Sequence, residues 1–541
     1  MTQFINRKED IVQEAIDGLI ATSGGRLVRL DGYPHIRVVM RAGWDRGRVA
    51  LVSGGGSGHE PAHAGFIGEG MLTAAVCGDV FASPSVDAVL AGILAVTGEA
   101  GCLLIVKNYT GDRLNYGLAA ERARAFGLKV EMVIVDDDIA LPDLPQARGV
   151  AGTLFVHKIA GALAEDGAPL EEVAAAAARV VAGTRSIGMS LDTCTVPGAP
   201  REERIAPGKA ELGLGIHGEA GVEQVAYTDA RSAMHMVAGK LAAVTAPDTR
   251  HVALLNNLGG ASVLEMAVLA HELVQSPLGE RLSHVVGPAA MMTSLDMRGF
   301  SVSLFPADAA DLAALHRAVP LAAWPGMAEI APVTTVELPD GLRPIRPLAS
   351  DHGPTRDFLT HCCEILIAAE TDLNALDAKT GDGDTGSTLA SAARALIAAM
   401  DRLPLSDHTQ LYRAIGQELS ETMGGSSGVL LAIFFAAAGD AASSGQTMGE
   451  ALEAGLARMQ EIGGARPGDR TMIDALHPAL AALPQGLAAA ARAAREGADK
   501  TAAMERARAG RAAYINAEQL RGHVDPGAEA VARLIEALNA R

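Results

Sequence analysis

Hydrophobic and polar residues follow two different patterns along the chain. In residues 1–328, short apolar and β-branched runs alternate with alanine-rich segments of helical periodicity. The clearest strand patterns lie at residues 48–52, 102–106, 130–135 and 251–255. Alternating strand and helix patterns are typical of folds in which helices pack on sheets. We therefore predict an α/β domain over residues 1–328.

The remaining part of the chain has a different pattern. Seven prolines fall between residues 319 and 354, where no helical periodicity persists, and this indicates a proline-rich linker at residues 329–353. Beyond it, roughly eight helical segments follow, separated by turns that contain glycine or proline. We predict an all-α domain over residues 354–541.

Charge and cysteine content narrow the class of protein. The 64 acidic residues exceed the 45 basic residues by 19, and no basic cluster of the kind that binds nucleic acid or anionic lipid is present. The longest apolar stretch, residues 429–438, is shorter than the about 20 residues that cross a bilayer. The five cysteines form no Cys-x-x-Cys pair, which is typical of reduced thiols. We expect a cytoplasmic protein that binds small molecules, without a nucleic-acid or membrane partner.

Three aspartates lie close together between two predicted helices of the second domain. Asp377, Asp382 and Asp384 share a glycine-rich segment, and carboxylate oxygens are ligands that Mg²⁺ prefers. An EF-hand does not fit, because a loop that starts at Asp382 places Ala393 where that motif needs glutamate. A turn that only caps the next helix remains an alternative interpretation.

Small residues open two helices in the same domain, at residues 385–388 and 424–428. The free N–H groups of a first helical turn bind phosphate well, so these segments favour a nucleotide site beside the aspartates. The chain has no Walker loop, because neither Lys209 nor Lys240 precedes a serine or threonine. A triphosphate would therefore be held by another arrangement, although each glycine turn alone is more often structural.

Polar residues follow strands of the first domain. The segment Ser-Gly-Gly-Gly-Ser-Gly-His-Glu-Pro at residues 53–61 follows a strand and lets a small ligand approach the backbone. Lys107 and Asp112 follow another strand and form a candidate acid/base pair, although a surface salt bridge is the commoner role of such residues. His217 lies among glycines, where an exposed imidazole can act as a nucleophile.

Together these motifs resemble the dihydroxyacetone kinase family in its ATP-dependent two-domain form. The similar segments follow the family's order over nearly the whole chain: 53–61, 78–84, 107–112, 157–161, 213–219, 293–297, 376–387, 424–428, 468–472 and 522–527. The resemblance implies a ketose-binding domain of two α/β subdomains, followed by a helical barrel of eight helices. It also implies a homodimer formed through the α/β domain.

The resemblance assigns roles to residues of the first domain. His217 would bond to the ketone carbon of the substrate as a hemiaminal, while Asp112 and His59 would form the acid/base pair at the reacting hydroxyl. The bound ketose would be surrounded by Gly56, Phe81 and Lys107.

The resemblance also assigns the second domain to ATP and two Mg²⁺ ions. The metal ligands would be Asp377, Asp382 and Asp384. The nucleotide pocket would comprise Thr385, Gly386, Ser387, Thr388, Ser426, Ser427, Gly463, Met472, Arg511, Asp525, Pro526 and Gly527.

The function implied is ATP-dependent phosphorylation of a short ketose, with dihydroxyacetone as the expected substrate. Because a hemiaminal requires a carbonyl, glycerol would be rejected chemically. A kinase for a four-carbon ketose such as erythrulose is the nearest alternative, since one more hydroxymethyl group changes pocket shape but no motif. Two further alternatives are a lyase that forms cyclic FMN from FAD and a ketose-binding regulator without catalysis. Asp112 and the aspartate cluster argue against the regulator.

Overall fold

A computed structural model of the chain describes residues 3–32, 34–141, 146–339 and 347–540, apart from the side chain of Arg511. The described chain divides into two compact units, one ending at Thr334 and the other beginning at Thr335. The first unit is α/β and the second is helical, so the predicted fold class is confirmed.

The first sheet of the α/β unit carries helices on its faces. Among described residues it has six strands in the order β1-β2-β4-β3-β5-β6; β4, β3, β5 and β6 are parallel to one another, whereas β2 pairs antiparallel with β4. The strands are β1 Leu27–Arg29, β2 Val38–Arg41, β3 Ala50–Ser57, β4 Ala74–Val80, β5 Cys102–Lys107 and β6 Val130–Val135. The helices are α1 Ile11–Ala21, α2 Val86–Val96, α3 Thr110–Ala125, α4 Thr153–Glu165 and α5 Leu170–Gly183.

The second sheet of this unit is mostly antiparallel. Its seven strands within the described ranges have the order β13-β11-β10-β12-β7-β8-β9. They are β7 Arg185–Ser190, β8 Lys209–Leu212, β9 Glu223–Ala226, β10 His251–Asn257, β11 Leu282–Ala289, β12 Gly299–Phe305 and β13 Met327–Glu329, with helices α6 Ala230–Val244, α7 Val263–Gln275 and α8 Ala309–His316. The two sheets correspond to the two predicted α/β subdomains.

Burial explains why the central strands form. Every residue of β3 and β5 is buried, because both faces of these strands are covered by helices. The continuous apolar run of β5 therefore packs on both faces of the sheet, into two separate cores. Polar side chains are displaced to the strand ends, where the loops carry them.

The second unit is a closed ring of helices. Its helices are α9 Gly353–Ala368, α10 Glu370–Asp377, α11 Thr385–Ala399, α12 His408–Thr422, α13 Gly425–Ser443, α14 Met448–Gly463, α15 Ile473–Ala482, α16 Leu487–Thr501, α17 Ala517–Leu520 and α18 Pro526–Asn539. Successive contacts run α9-α11-α12-α13-α14-α15-α16-α18, and α18 returns to α9. Eight of the described helices thus close the barrel that the family resemblance implies.

Helix α13 is longer than the apolar stretch predicted within it. Its 19 residues are apolar enough to cross a membrane by length and composition alone. The helix packs between α12 and α14 in the ring, and its Phe434 lies in a buried cluster with Leu456 of α14. Because it packs against a neighbouring helix on each side, we assign α13 to the ring.

Candidate active site

One cavity lies where three parallel strands of the first sheet end. Strands β4, β3 and β5 are neighbours, so the loops after their carboxyl ends meet at one edge of the sheet. The cavity has a volume of about 310 Å³. The residues that line it are Gly56, Phe81, Ser83, Tyr109, Thr110, Gly111, Asp112, His217 and Glu219. Four of the predicted residues therefore share this cavity, and His217 reaches it from the loop between β8 and β9.

Gly56 and Phe81 form one wall of the cavity. A Cβ atom on Gly56 would lie 2.7 Å from the backbone nitrogen of Ala82 and 2.8 Å from the Cα of Phe81, so this close approach requires glycine. Phe81 itself has a positive φ of 58°, and its N–H donates to the carbonyl of Ser57. Such a backbone conformation is unfavourable for a bulky residue, and residues that adopt it cluster at functional sites.

His59 is a buried, neutral imidazole with one free acceptor. Its Nδ1 lies 2.8 Å from the carbonyl oxygen of Thr293, which can only accept, so Nδ1 carries the proton. Its Nε2 is buried and forms no hydrogen bond with any described residue. Burial, followed by the charges of Lys107 and His217, holds the pKa of His59 well below 6.5. His59 is therefore a neutral base with an unused lone pair, and it packs against the cavity residues Phe81 and His217 without lining the cavity itself.

Asp112 lies in the first turn of α3 and is 3% exposed. Its Oδ1 accepts a hydrogen bond from the hydroxyl of Ser83, which follows β4. His59 is not a hydrogen-bond partner of Asp112 in the described structure, because its Nδ1 is bound to Thr293. The two groups of the predicted acid/base pair are therefore anchored independently.

His217 is oriented by Glu219. The Nδ1 atom of His217 lies 3.0 Å from Oε1 of Glu219, and the backbone N–H of His217 donates to Oε2 at 3.0 Å. Burial alone would raise the pKa of Glu219, but the hydrogen bond from His217 and the charge of the protonated form of that ring lower it to about 2. A carboxylate that accepts the Nδ1 proton leaves the Nε2 lone pair of His217 for attack on an electrophile.

Aromatic and imidazole rings pack around His217. The ring of Tyr109 meets it edge to face at 4.4 Å between centroids, and those of His59 and Phe81 do so at 4.8 and 5.3 Å. His59 in turn stacks on Phe81. These contacts restrict rotation of the His217 side chain, which therefore faces the cavity in a fixed orientation.

Lys107 lies behind the cavity wall rather than in the lining. It is 1% exposed, and its Nζ is 2.8 Å from Nε2 of His63. A Cβ on Gly55 would lie 3.1 Å from this Nζ and 3.3 Å from Oδ2 of Asp112, so both charged groups converge on the same glycine. Burial lowers the pKa of Lys107, and the charge of Asp112 opposes that effect.

The three aspartates of the helical unit form one cluster. Ligand oxygens of Asp377, Asp382 and Asp384 all lie within 4.8 Å of one another, which suits a divalent cation with oxygen ligands. Asp377 is buried, whereas Asp382 and Asp384 are exposed. The Oδ2 of Asp377 also accepts N–H groups of Gly383, Asp384 and Thr385 at 2.9–3.1 Å. Asp377 therefore holds the turn in place through Oδ2, and its other carboxylate oxygen, Oδ1, can serve as a metal ligand.

The first turn of α11 is less open to phosphate than the sequence predicts. Helix α11 does begin at Thr385, as expected. However, the N–H of Thr385 is bound to Asp377, and the N–H of Ser387 donates to Oδ1 of Asn374 at 2.9 Å. The expectation of free N–H groups is wrong at these two residues, because neighbouring side chains of α10 already accept from them.

The other predicted nucleotide residues lie at helix ends. Short connections make α11 to α16 successively antiparallel, so α11, α13 and α15 begin at the end of the ring where α14 finishes. Ser426 and Ser427 open α13, Gly463 ends α14, Met472 precedes α15, and residues 525–527 open α18. A Cβ on Gly527 would lie 3.2 Å from the Cβ of Met472, so these two segments touch.

Asp525 and Arg511 are the two remaining residues of the predicted nucleotide pocket. Asp525 caps α18 by accepting the N–H of Ala528, and burial raises the pKa of Asp525 to about 6. Arg511 begins a short 3-10 helix, and its side chain lies outside the described residues. Its predicted role in the nucleotide pocket stays a prediction.

Comparison with known proteins identifies the family. The Dak1 domain matches residues 17–323 and the DAK2 domain matches residues 379–540. The dihydroxyacetone kinase of Citrobacter freundii is 48% identical over 99% of this chain and 98% of its own length. The chain belongs to the two-domain dihydroxyacetone kinase family. The predicted family is thereby confirmed.

Other members of the dihydroxyacetone kinase family also match this chain over nearly its whole length. The crystal structure of the C. freundii enzyme in complex with AMP-PNP and Mg²⁺ covers 100% of this chain and 99% of that chain, with a TM-score of 0.70 and 46% identity. The triokinase/FMN cyclase of Homo sapiens is 40% identical over 99% of this chain and 98% of its own length. Both domains are therefore present in these relatives in the same order.

Sequence reasoning missed several residues of the cavity. Ser83, Tyr109 and Glu219 contact the predicted residues Asp112 and His217 directly. Each lies within three residues of a predicted site residue or within a family motif, and this proximity was the available signal. The contact of Ser83 with Asp112 joins the loop after β4 to the first turn of α3, so no local pattern reveals it.

Proposed function

We propose that the chain, an ATP-dependent dihydroxyacetone kinase, holds the ketone covalently on His217 and phosphorylates a primary hydroxyl beside Asp112. The observation that carries this proposal is one cavity in which a Glu219-oriented imidazole faces a buried carboxylate. A nucleophile with its orienting group and a separate base are the parts that capture and activation of a hydroxyketone require.

Capture of the ketone follows from the geometry of His217. Its Nε2 lone pair forms a bond to C2 of the ketose while the carbonyl π bond breaks, and the carbonyl oxygen takes up a proton from water. The imidazole loses its Nδ1 proton to water beside the Glu219 carboxylate, which lies 3.0 Å from Nδ1, so one proton is gained and one is lost and the addition is neutral overall. Glycerol has no carbonyl and cannot be captured in this way.

Activation of the hydroxyl is assigned to Asp112. The carboxylate would accept the proton of the primary hydroxyl as its oxygen attacks the γ-phosphorus of ATP. Ser83 fixes one carboxylate oxygen, which leaves Oδ2 for the substrate. The lone pair of His59 Nε2 would accept a hydrogen bond from a ketose hydroxyl, since Nδ1 is committed to Thr293.

The helical unit is proposed to bind ATP at the ring end that carries the aspartate cluster. Asp377, Asp382 and Asp384 fit Mg²⁺ because their oxygens lie within 4.8 Å of one another. When bound there, two Mg²⁺ ions would neutralise charge on the phosphate groups. The N–H groups in the first turn of α13, which no side chain caps within the described residues, and the residues that open α18 would surround the nucleotide.

Three finer points are also proposals. The domain bounds are 1–328 for the ketose, 329–353 for the linker and 354–541 for ATP, supported by the end of β13 at Glu329 and the start of α9 at Gly353. A homodimer through the α/β unit is expected from the family, and light scattering on the purified protein would test it. A cytoplasmic location is supported by five free cysteines.

The alternatives drawn from the sequence are not favoured. The relative that is 48% identical over the whole chain is named dihydroxyacetone kinase. A screen of ADP formation with dihydroxyacetone, both erythrulose enantiomers and glycerol would test the substrate. We expect the highest kcat/KM with dihydroxyacetone and no turnover of glycerol. Turnover of glycerol at a comparable rate would contradict capture through a carbonyl.

A further inference from the structure

Three buried groups form a chain behind the cavity wall. Lys107 ends β5, His63 follows β3, and His157 lies in α4, with exposures of 1%, 5% and 0%. The Nζ of Lys107 is 2.8 Å from Nε2 of His63, and Nδ1 of His63 is 2.9 Å from Nε2 of His157. Neither histidine has a part in the mechanism above.

The hydrogen-bond chemistry fixes the direction of this chain. An ammonium group has donors only, so Nε2 of His63 accepts and the proton of His63 lies on Nδ1. That proton is donated to Nε2 of His157, whose own proton therefore lies on Nδ1. The Nδ1 of His157 is buried and makes no hydrogen bond within the described part of the chain. The ammonium group of Lys107 therefore determines the tautomer of His63, and His63 determines that of His157.

The surroundings keep both imidazoles neutral. Burial, followed by the charge of Lys107, holds the pKa of His63 well below its usual range and lowers that of His157 to about 3. The other titratable groups that face the chain are His59, which follows β3, and Asp112 of α3. Lys107 is therefore the cation of the chain, and Asp112 is its nearest opposite charge.

We propose that His63 and His157 form a relay of two positioning residues that holds the Lys107 ammonium against Gly55, beside Asp112. A buried ammonium is expensive unless its hydrogen bonds are satisfied. His63 satisfies one of them, and His157 locks His63 in the tautomer that can accept. The relay thereby fixes both the place and the protonation of the cation beside the catalytic carboxylate.

The relay predicts different effects for two substitutions of His157. His157→Leu removes the acceptor, so the N–H of His63 loses its partner and the protonated form of Lys107 is less stable. His157→Gln can place an amide oxygen where Nε2 lies and so preserves the relay. A purely structural histidine would not distinguish these variants in a pH profile.

The kinetic test, which rests on the proposed kinase activity, compares the pH dependence of kcat in both variants. For His157→Leu we expect kcat to fall about tenfold or more, with the basic limb of the profile shifted to lower pH. His157→Gln should restore both. His251→Leu, at a buried histidine that begins β10, is the matched control and should leave the profile unchanged. A His157→Leu profile that superimposes on that of the parent would overturn the proposal.

A second measurement does not depend on kinase activity. Long-range ¹⁵N NMR of the histidine-labelled parent protein reports the tautomer of each ring, and His63→Gln and His157→Gln assign the two signals. We expect both rings as neutral Nδ1–H tautomers that do not titrate between about pH 6 and about pH 8. An Nε2–H tautomer or a titrating ring would refute the relay. A parent without kinase activity would refute the proposed function alone.

Discussion

Replacement of Asp112 by asparagine tests the proposed base with little change in shape. The Oδ1 atom of asparagine can still accept the hydrogen bond of Ser83, so the anchoring contact survives. The amide cannot accept a proton, and it also removes the negative charge beside Lys107. Both effects act on the step in which the proton moves, so the loss should appear in kcat more than in KM.

The expected magnitude follows from these two effects. A general base contributes typically about 10²- to 10⁴-fold. Because the charge partner of Lys107 is lost as well, we expect a fall of about 10³-fold in kcat for Asp112→Asn, which is about 4 kcal/mol in the activation free energy. Ketose binding should persist, since His217 and Glu219 are unchanged.

A coupled assay of ADP formation gives kcat and KM, and the melting temperature of each variant reports its stability. Ser83→Ala is the matched control, because it removes the anchor but keeps the carboxylate, and its kcat should fall less than about tenfold. If Asp112→Asn kept a kcat within a few-fold of the parent while its melting temperature and ketose affinity both fell, Asp112 would be a structural residue and the assigned role would be wrong.

Three further predictions address other parts of the molecule. Asp382→Ala should abolish kinase activity and Mg²⁺-dependent nucleotide binding while ketose binding, followed by calorimetry, persists; a folded variant that loses ketose binding would contradict the division of roles. Gly386→Ala should lower the free energy of unfolding of the helical unit by about 1–3 kcal/mol, because the new Cβ would lie 2.1 Å from the carbonyl oxygen of Glu370. The control Gly449→Ala places its Cβ in open space and should leave the melting temperature unchanged. Burial raises the pKa of Asp137 to about 6, so the folded protein binds this proton more tightly than the unfolded chain does, and stability is lost as the pH rises through 6. The melting temperature of Asp137→Asn should therefore change less between about pH 4 and about pH 7 than that of the parent, and an equal change would refute this.

The strands and helices were predictable where burial dominates. The apolar runs at residues 102–106 and 130–135 correspond to β5 Cys102–Lys107 and β6 Val130–Val135 within one residue. Strand β3 extends to Ser57, beyond the predicted end at residue 52, because pairing with β4 incorporates Gly54, Gly55 and Ser57 although glycine has a low intrinsic strand propensity. Tertiary pairing therefore determines what the local pattern does not.

The candidate site was predictable only in part, for a related reason. His217, Asp112 and the aspartates carry their chemistry in recognisable motifs. The partners of the site residues come from distant segments of the chain: Ser83 is 29 positions from Asp112, and, behind the cavity wall, His63 is 94 positions from His157. Such contacts depend on the order of strands in the sheet, which periodicity does not encode. Likewise, the hydrogen bonds that Asp377 and Asn374 accept from N–H groups at the start of α11 depend on how α10 packs.

Covalent capture of the ketone by His217 is the central claim, and ¹³C NMR with [2-¹³C]dihydroxyacetone tests it most directly. We expect the carbon signal of ligand bound to the parent protein, without ATP, to move from the ketone region to that of a tetrahedral carbon bonded to nitrogen and oxygen. His217→Ala should lack this signal. A ligand bound to the parent at full occupancy that retains its ketone signal would contradict the account.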